Sequence, residues 1–338
     1  MSELQTTKIT DRAGTGSPNF SQGLKISGTD SGLIAPTRTE GETQPDAETS
    51  SNGDTFYDTA NDTYDILIEG AWVRVIGAVG DSTPDWELDP SNFSFSGNYK
   101  AIGSYEGTPT SCYISEDGTF FLFCGVGSDS NWYATLSTAY DISTMGTPTE
   151  VSYTNDIHAV SMRPDGTEFY YLDSAGKILY QRTLSTAFDF STAGTASSLS
   201  VNQANQPAGF DFSYDGLKLF TMDKTVSTVR SYTLTTAWDI TTATYDNISV
   251  SFNGSGESYA YSVRLNPSGT QIYFIGYGAD DVQVYDLSTA FDITTGTKLG
   301  SFDAGDTAAL GLAISYDGKK VYTTGNGSND ITEIDTGL

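Results

Sequence analysis

Four copies of one heptapeptide organise this chain: LSTAYDI at 136–142, LSTAFDF at 184–190, LTTAWDI at 234–240 and LSTAFDI at 287–293. A second phrase precedes each copy and recurs once more after the last: Glu116-Asp117-Gly118, Pro164-Asp165-Gly166, Tyr214-Asp215-Gly216, Pro267-Ser268-Gly269 and Tyr316-Asp317-Gly318. The heptapeptides are spaced by 48, 50 and 53 residues and the glycines by 48, 50, 53 and 49. A degenerate version, Trp86-Glu87-Leu88-Asp89, lies 48 residues before the first full copy. Self-similarity at such a period marks an array of one supersecondary unit.

Each unit reads as four short strands. In the last complete one, an inner strand A at 262–265 runs into the Pro-Ser-Gly turn. Strand B follows at 271–275, strand C at 282–287, and strand D at 298–302, beyond the LSTAFDI loop. Asp-Gly between two β-type runs is a strong hairpin signal, and four antiparallel strands repeated every 40–50 residues is the pattern of a propeller blade. The expected fold is all-β: a five-bladed β-propeller over residues 81–338. Five A-B-C sets are present, the last ending at 331–334. The fifth blade lacks a D strand of its own, so residues 99–105 are expected to fill that place and close the ring, which removes open sheet edges.

Composition agrees. The chain has 338 residues, of which 12% are aromatic and 35 are Gly, while charged residues make up only 17%. So many aromatics argue against wholesale disorder, and the Gly, Ser and Thr content suits strands joined by turns. With 43 acidic against 16 basic residues, the net charge is -27. That balance argues against a phosphate-backbone binder, which needs clustered Lys and Arg, and equally against an anionic membrane surface. No apolar run is long enough to span a bilayer. The first residues show no basic stretch followed by an apolar one, so no secretory signal is expected and synthesis is read as cytoplasmic.

The repeat, with its LST-A-aromatic-D-I loop and S-x-D-G turn, resembles the YVTN-like β-propellers of bacteria and phages over about residues 85–338. That resemblance implies the fold and leaves function open, because propellers host enzymes, binders and scaffolds.

Residues 1–80 differ. Residues 1–49 read as an extended arm and linker, with a Thr, Glu, Pro and Ser-rich stretch at 35–54. Residues 50–80 hold three short strand-like runs, at 52–58, 64–68 and 71–76, around Asn, Asp and Gly turns. A module of about 30 residues cannot bury enough surface to stand alone. The sequences TTKITDRAGTGSPNFSQGLKI (6–26) and NGDTFYDT (52–59), followed by DTYDILIEGAWVRVIG (62–77), are similar to N-terminal parts of tailed-phage fibre and decoration proteins. This similarity implies a virion protein attached to the particle through residues 1–80, with other virion proteins as partners and a homo-trimer as the assembly. A host-surface glycan is the candidate ligand of the displayed propeller.

Candidate chemistry is sparse, and no catalytic residue, metal ligand or cofactor is assigned. His158 is the single histidine, at the position of Ala208, Tyr261 and Leu310 in other repeats, with no nucleophile in an equivalent position to form a triad. The aligned inner strands put Ile114, Met162, Phe212, Leu265 and Ile314 on a face expected to pack between blades. Tyr113, Ser161, Asp211, Arg264 and Ala313 fall on the channel face. Asp211 and Arg264 share a level in adjacent blades and are expected to form a structural ion pair, since a lone buried charge is expensive. Asp141, Asp189, Asp239 and Asp292 are read as structural, bonding their own loop backbone. The Gly pairs at 125/127, 276/278 and 325/327 read as B–C turns, because no helix follows them. Asp280-Asp281 has no EF-hand spacing. Cys112 and Cys124 flank one hairpin; a bridge between them is conceivable, and free buried thiols are favoured. The leading functional reading is a non-enzymatic virion protein. The competing one is a carbohydrate-active enzyme, which acidic side chains converging at one channel mouth would favour.

Overall fold

The computed structural model describes residues 55–58, 63–68, 71–75, 84, 86–152, 156–252 and 259–338, the first three stretches as backbone. The chain divides into two units, Met1–Ser82 and Thr83–Leu338. In the first, β1 (Thr55–Asp58), β2 (Thr63–Ile68) and β3 (Ala71–Val75) form an antiparallel sheet, β2 in the middle, with Tyr57 opposite Tyr64 and Ile66 opposite Val73. The arm expected at 1–49 lies outside the described residues.

The second unit is a five-bladed β-propeller of four-stranded antiparallel blades. Blade 1 is β5 (Pro109–Ile114), β6 (Phe120–Gly125), β7 (Ser130–Thr135) and β8 (Thr149–Ser152). Blade 2 is β9 (Ile157–Met162), β10 (Glu168–Asp173), β11 (Ile178–Thr183) and β12 (Ser197–Ser200). Blade 3 is β13 (Pro207–Phe212), β14 (Lys218–Asp223), β15 (Thr228–Leu234) and β16 (Ala243–Ser251). Blade 4 is β17 (Ala260–Leu265), β18 (Gln271–Gly276), β19 (Asp281–Leu287) and β20 (Gly296–Asp303). Blade 5 joins β21 (Ala309–Ile314), β22 (Lys320–Gly325) and β23 (Asp330–Asp335) to β4 (Ser94–Ala101).

The closing strand therefore comes from the N-terminal side of the propeller, as expected, but lies about five residues earlier than 99–105. Thr332 pairs with Tyr99 and Asp335 with Ser94. Residues 102–106 are needed for something else: the N–H groups of Tyr105 and Glu106 both reach Ile102 O, at 2.8 and 2.9 Å, in a turn that carries the chain into blade 1.

The heptapeptide explains itself at the atomic level. Its aromatic residue sits in the left-handed region, at φ 64° for Tyr140, 59° for Phe188, 65° for Trp238 and 60° for Phe291. Its N–H bonds the carbonyl of the turn glycine, for instance Phe291 N to Gly269 O at 2.8 Å. The ring then covers that glycine, itself at φ 70°. The following Asp caps a single 3-10 turn: Asp141, Asp189, Asp239 and Asp292 each accept the N–H two residues on, at 3.0 Å. The degenerate copy does the same work, with Trp86 over Gly318 and Asp89 capping Ser91 at 2.9 Å.

Five apolar clusters fill the ring, each shared between neighbours. Phe120, Leu122 and Cys124 of blade 1 meet Val160 and Met162 of blade 2. Tyr170 and Leu172 meet Phe210 and Phe212, then Phe220 and Met222 meet Val263 and Ile272. Tyr273 and Ile275 meet Leu312, and Tyr322 meets Cys112 and Ile114. Strand B is buried on both faces because it serves two clusters at once. Further bonds stitch blade to blade: Tyr170 Oη and Tyr322 Oη donate to the loop carbonyls of Trp238 and Tyr140, both at 2.6 Å.

Two outcomes follow from this architecture. A chain starting at residue 83 melts cooperatively. One starting at 103 exposes the β23 edge and the cluster around Trp86, Leu88 and Phe93, and it aggregates at lower temperature in light scattering. Gly269→Ala meets both a left-handed backbone and the Phe291 ring, 2.5 Å from the new Cβ. The backbone alone costs about 1–2 kcal/mol, and a urea midpoint unchanged from wild type would contradict the stacked-loop account.

Candidate functional site

The inner strands β5, β9, β13, β17 and β21 line the central channel. Each carries a bulge at its second residue, so Thr110, His158, Ala208, Tyr261 and Leu310 drop out of the ladder at one level. Bulges re-aim side chains, and these five residues sit near the end of the channel where strand A begins. Tyr261 is the centre of that mouth. His158 stacks with it at 6.3 Å between ring centroids, and Lys224 Nζ lies 4.7 Å from its centroid. Tyr259 and Tyr277 flank it and are 53% and 57% exposed; Tyr277 N bonds Tyr259 O at 3.2 Å. Asn326 and Thr108 complete the groove.

His158 is buried, with Nε2 3.4 Å from Asp156. Burial, followed by the charge of Lys224, pushes its pKa down to about 4, so the ring is neutral at physiological pH.

At the opposite mouth, beside the Gly turns, all five blades surround a cavity of about 140 Å³. The residues aligned on the channel face, Tyr113, Ser161, Asp211, Arg264 and Ala313, all line it. The expected Asp211–Arg264 ion pair does not form. The Arg264 guanidinium instead donates to three carbonyls: Phe210 O at 2.9 Å, Val263 O at 2.9 Å and Cys112 O at 2.8 Å. Asp211 Oδ2 accepts Leu265 N at 2.9 Å. The reason is the curvature of the ring. Inner-strand carbonyls converge on the axis, and a planar five-donor fork satisfies several of them together. Asp211 still feels the arginine: burial raises its pKa to about 6, with the Arg264 charge and backbone N–H groups working against the rise.

Around the rim, Tyr214 Oη and Tyr316 Oη approach to 3.0 Å, joining blades 3 and 5 across the mouth. Tyr214 also neighbours Glu116 and works against the rise in its pKa. The Glu116 carboxyl is pushed above its usual range by burial and by the nearby charges of Asp165 and Asp117. Glu116 Oε1 is buried and accepts no hydrogen bond. Trp86 Nε1 donates to Tyr316 O at 2.9 Å and holds its ring in the wall.

Sequence reasoning missed Glu106 and Asp306. Each lies three residues before an inner strand and gathers backbone N–H groups of the facing B–C turn: Glu106 takes Gly127 N at 2.8 Å, Asp306 takes Gly327 N at 2.9 Å. A Cβ at Gly127 or Gly327 would stand 2.5 Å from those carboxylates, which explains the second glycine of these pairs. Their signal was an acidic residue at one offset before strand A. Cys112 and Cys124 are free and buried. Cys124 pairs with Ser111, so the two thiols point into different clusters and burial pushes the Cys112 thiol up to about 12. Asp280 and Asp281 accept Ala309 N at 3.1 Å and Ser301 Oγ at 3.0 Å. Among the described residues no group of three or more His, Cys, Asp or Glu is placed to hold a metal ion.

No family model and no curated protein matches the chain. Solved structures similar to it include a periplasmic gluconolactonase of Pseudomonas aeruginosa, PpgL, at 13% identity and TM-score 0.44, covering 65% of this chain and 64% of that one. A chain of a mitotic checkpoint complex matches at 14% identity and TM-score 0.39, covering 66% of this chain and 61% of that one. A functionally unknown protein from Desulfotomaculum acetoxidans matches at 14% and 0.41, covering 68% of each. The chain spans less than two thirds of the first two, and similarity at this level carries no activity across.

Arg264→Met leaves three carbonyls without donors and Asp211 without its cation. Expected destabilisation is about 2–4 kcal/mol. Asp211→Asn in that background recovers part of it. Asp211 has its folded pKa raised, so the folded state holds the proton after the unfolded state has lost it. Stability from this group is full below about pH 4 and lost as pH rises toward about 6. Asp211→Asn alone therefore raises the melting temperature at pH 7 relative to wild type and leaves it unchanged near pH 4. Identical shifts at both pH values would place the carboxylate in free contact with water.

Proposed function

We propose that this chain is a non-enzymatic structural protein of a tailed-phage particle. Residues 1–80 attach it and assemble it as a homo-trimer, and the propeller is displayed outward as a decoration or adhesin that takes a host-surface glycan. The observation that carries this reading is the division of the chain: the unit from Thr83 to Leu338 closes its own last sheet with β4 and fills its own five interfaces. The propeller thus completes its sheets and clusters with residues from Thr83 onward, and in this reading residues 1–80 have a separate task. The resemblance of that segment to phage fibre and decoration proteins names the task. A three-stranded sheet of this size gains stability by burying itself on a partner, and symmetric self-association is the common solution. The net charge of -27 keeps a displayed head soluble.

The competing reading, a carbohydrate-active enzyme, draws on Glu116 and Asp211 lining one cavity with raised pKa values. Against it, Asp211 is held by Leu265 N–H and the Arg264 charge.

Sedimentation of the full chain and of residues 83–338, with immunogold microscopy of particles, tests the proposal. A trimeric full chain that labels particles, beside a monomeric propeller, is the expected result. A full-length monomer absent from particles that releases reducing ends from a polysaccharide, and loses that activity in Glu116→Gln and Asp211→Asn, overturns it.

A further inference from the structure

The cavity beside the Gly turns has a chemistry of its own. Its wall is aromatic on several sides: Trp86 and Tyr316 from blade 5, Tyr214 and Trp238 from blade 3, Tyr113 from blade 1. Tyr214 and Tyr316 stand 5.9 Å apart, joined through their hydroxyls, so two rings from blades that are not neighbours face the same space. Glu116 and Asp211 are the acidic lining residues and Arg264 the basic one. Arg264 has committed its guanidinium to three carbonyls. Glu116 has a buried oxygen with no hydrogen-bond partner. The repeated turns set Asp117 and Asp165 close enough to raise its pKa further. The local field is therefore negative, and the wall is lined by aromatic rings, a side-chain class that attracts cations. The volume, about 140 Å³, is close to the roughly 150 Å³ that admits a benzene-sized guest.

We propose that this cavity binds a small organic cation, an alkylated ammonium head group of the size of choline, with Glu116 as its counter-charge and Trp86, Tyr214 and Tyr316 as its aromatic wall. The ligand class follows from three properties. A carboxylate in the cavity wall, one of whose oxygens is buried without a hydrogen-bond partner, favours positive charge nearby. Aromatic faces favour a soft, poorly hydrated cation over a metal ion, which would require several oxygen ligands. A compact guest fits the space and a chain of sugars does not. The inference is independent of the display reading, since the site belongs to the propeller whatever carries it.

Titration of the full chain with choline, followed by calorimetry and by tryptophan fluorescence from Trp86 and Trp238, is the direct test. Its neutral isostere 3,3-dimethylbutanol is the control. Choline is expected to bind at least about fivefold more tightly than the isostere, and to weaken on acidification as Glu116 takes up a proton. Glu116→Gln is expected to lower choline affinity about tenfold and leave the isostere unchanged. Tyr316→Phe keeps the ring and is expected to retain binding, whereas Tyr316→Leu loses it; thermal melts of all three variants establish that they fold. Equal affinity for choline and isostere overturns the proposal. So does the absence of choline binding to a folded wild-type chain, or a folded Glu116→Gln that binds choline as tightly as wild type.

Discussion

No blade of this propeller has a core of its own. Every apolar cluster draws residues from two neighbouring blades, so burial is complete only when the fifth blade meets the first. The hydrogen bonds between β4 and β23 are the constraint on which this depends. They add a fourth strand to blade 5 and, through Trp86, Leu88 and Phe93, complete the cluster that blade 5 shares with blade 4. A repeat protein whose ends stay apart is a one-dimensional stack with exposed termini. Here the two ends of the array form one sheet, and the energetics become those of a ring.

The repeated loop is the second tier of the same design. Placing an aromatic residue at positive φ is unfavourable, and the structure does it in four blades. What holds it is local and reciprocal: the backbone N–H reaches the turn glycine, the ring covers that glycine, and the neighbouring blade's tyrosine donates to the loop carbonyl in two cases. The phrase therefore ties a hairpin turn to a 3-10 turn within a blade and then to the blade before it. This is why the signature was so visible in the sequence. Each of its residues has a short-range partner at a fixed offset, and partners at fixed offsets produce periodicity.

That also explains which features could be read from the sequence and which could not. Blade number, strand order, the B–C glycine turns and the capping role of Asp141, Asp189, Asp239 and Asp292 all rest on contacts that repeat. The exact closing strand was displaced because residues 99–105 look as strand-like as 94–101. Only the turn at Ile102, set by the entry into blade 1, decides between them. The Asp211–Arg264 pair failed for a different reason. Sequence alignment places two charges at one level, but it does not show that carbonyls of blades 1, 3 and 4 converge on the same point. The guanidinium takes them in preference to the carboxylate. Glu106 and Asp306 were missed because they occur in two blades of five, too few to register as a repeat.

Function in such a ring must reside where the repeats diverge. Positions that repeat are committed to packing, and side chains that differ among five equivalent sites are where chemistry specific to one blade can be placed. Two levels of the channel meet this condition. At the bulge level the five residues are Thr110, His158, Ala208, Tyr261 and Leu310; deeper, they are Tyr113, Ser161, Asp211, Arg264 and Ala313. One mouth gathers a neutral histidine and exposed tyrosines, the other two carboxylates under aromatic walls. Arg264, itself on inner strand β17, has no carboxylate within ion-pair distance among the described residues and is fixed by three backbone oxygens. It thus serves as a rigid floor. A charge held this way cannot swing to meet a ligand, so the mouth above it recognises its guest through Glu116 and the rings.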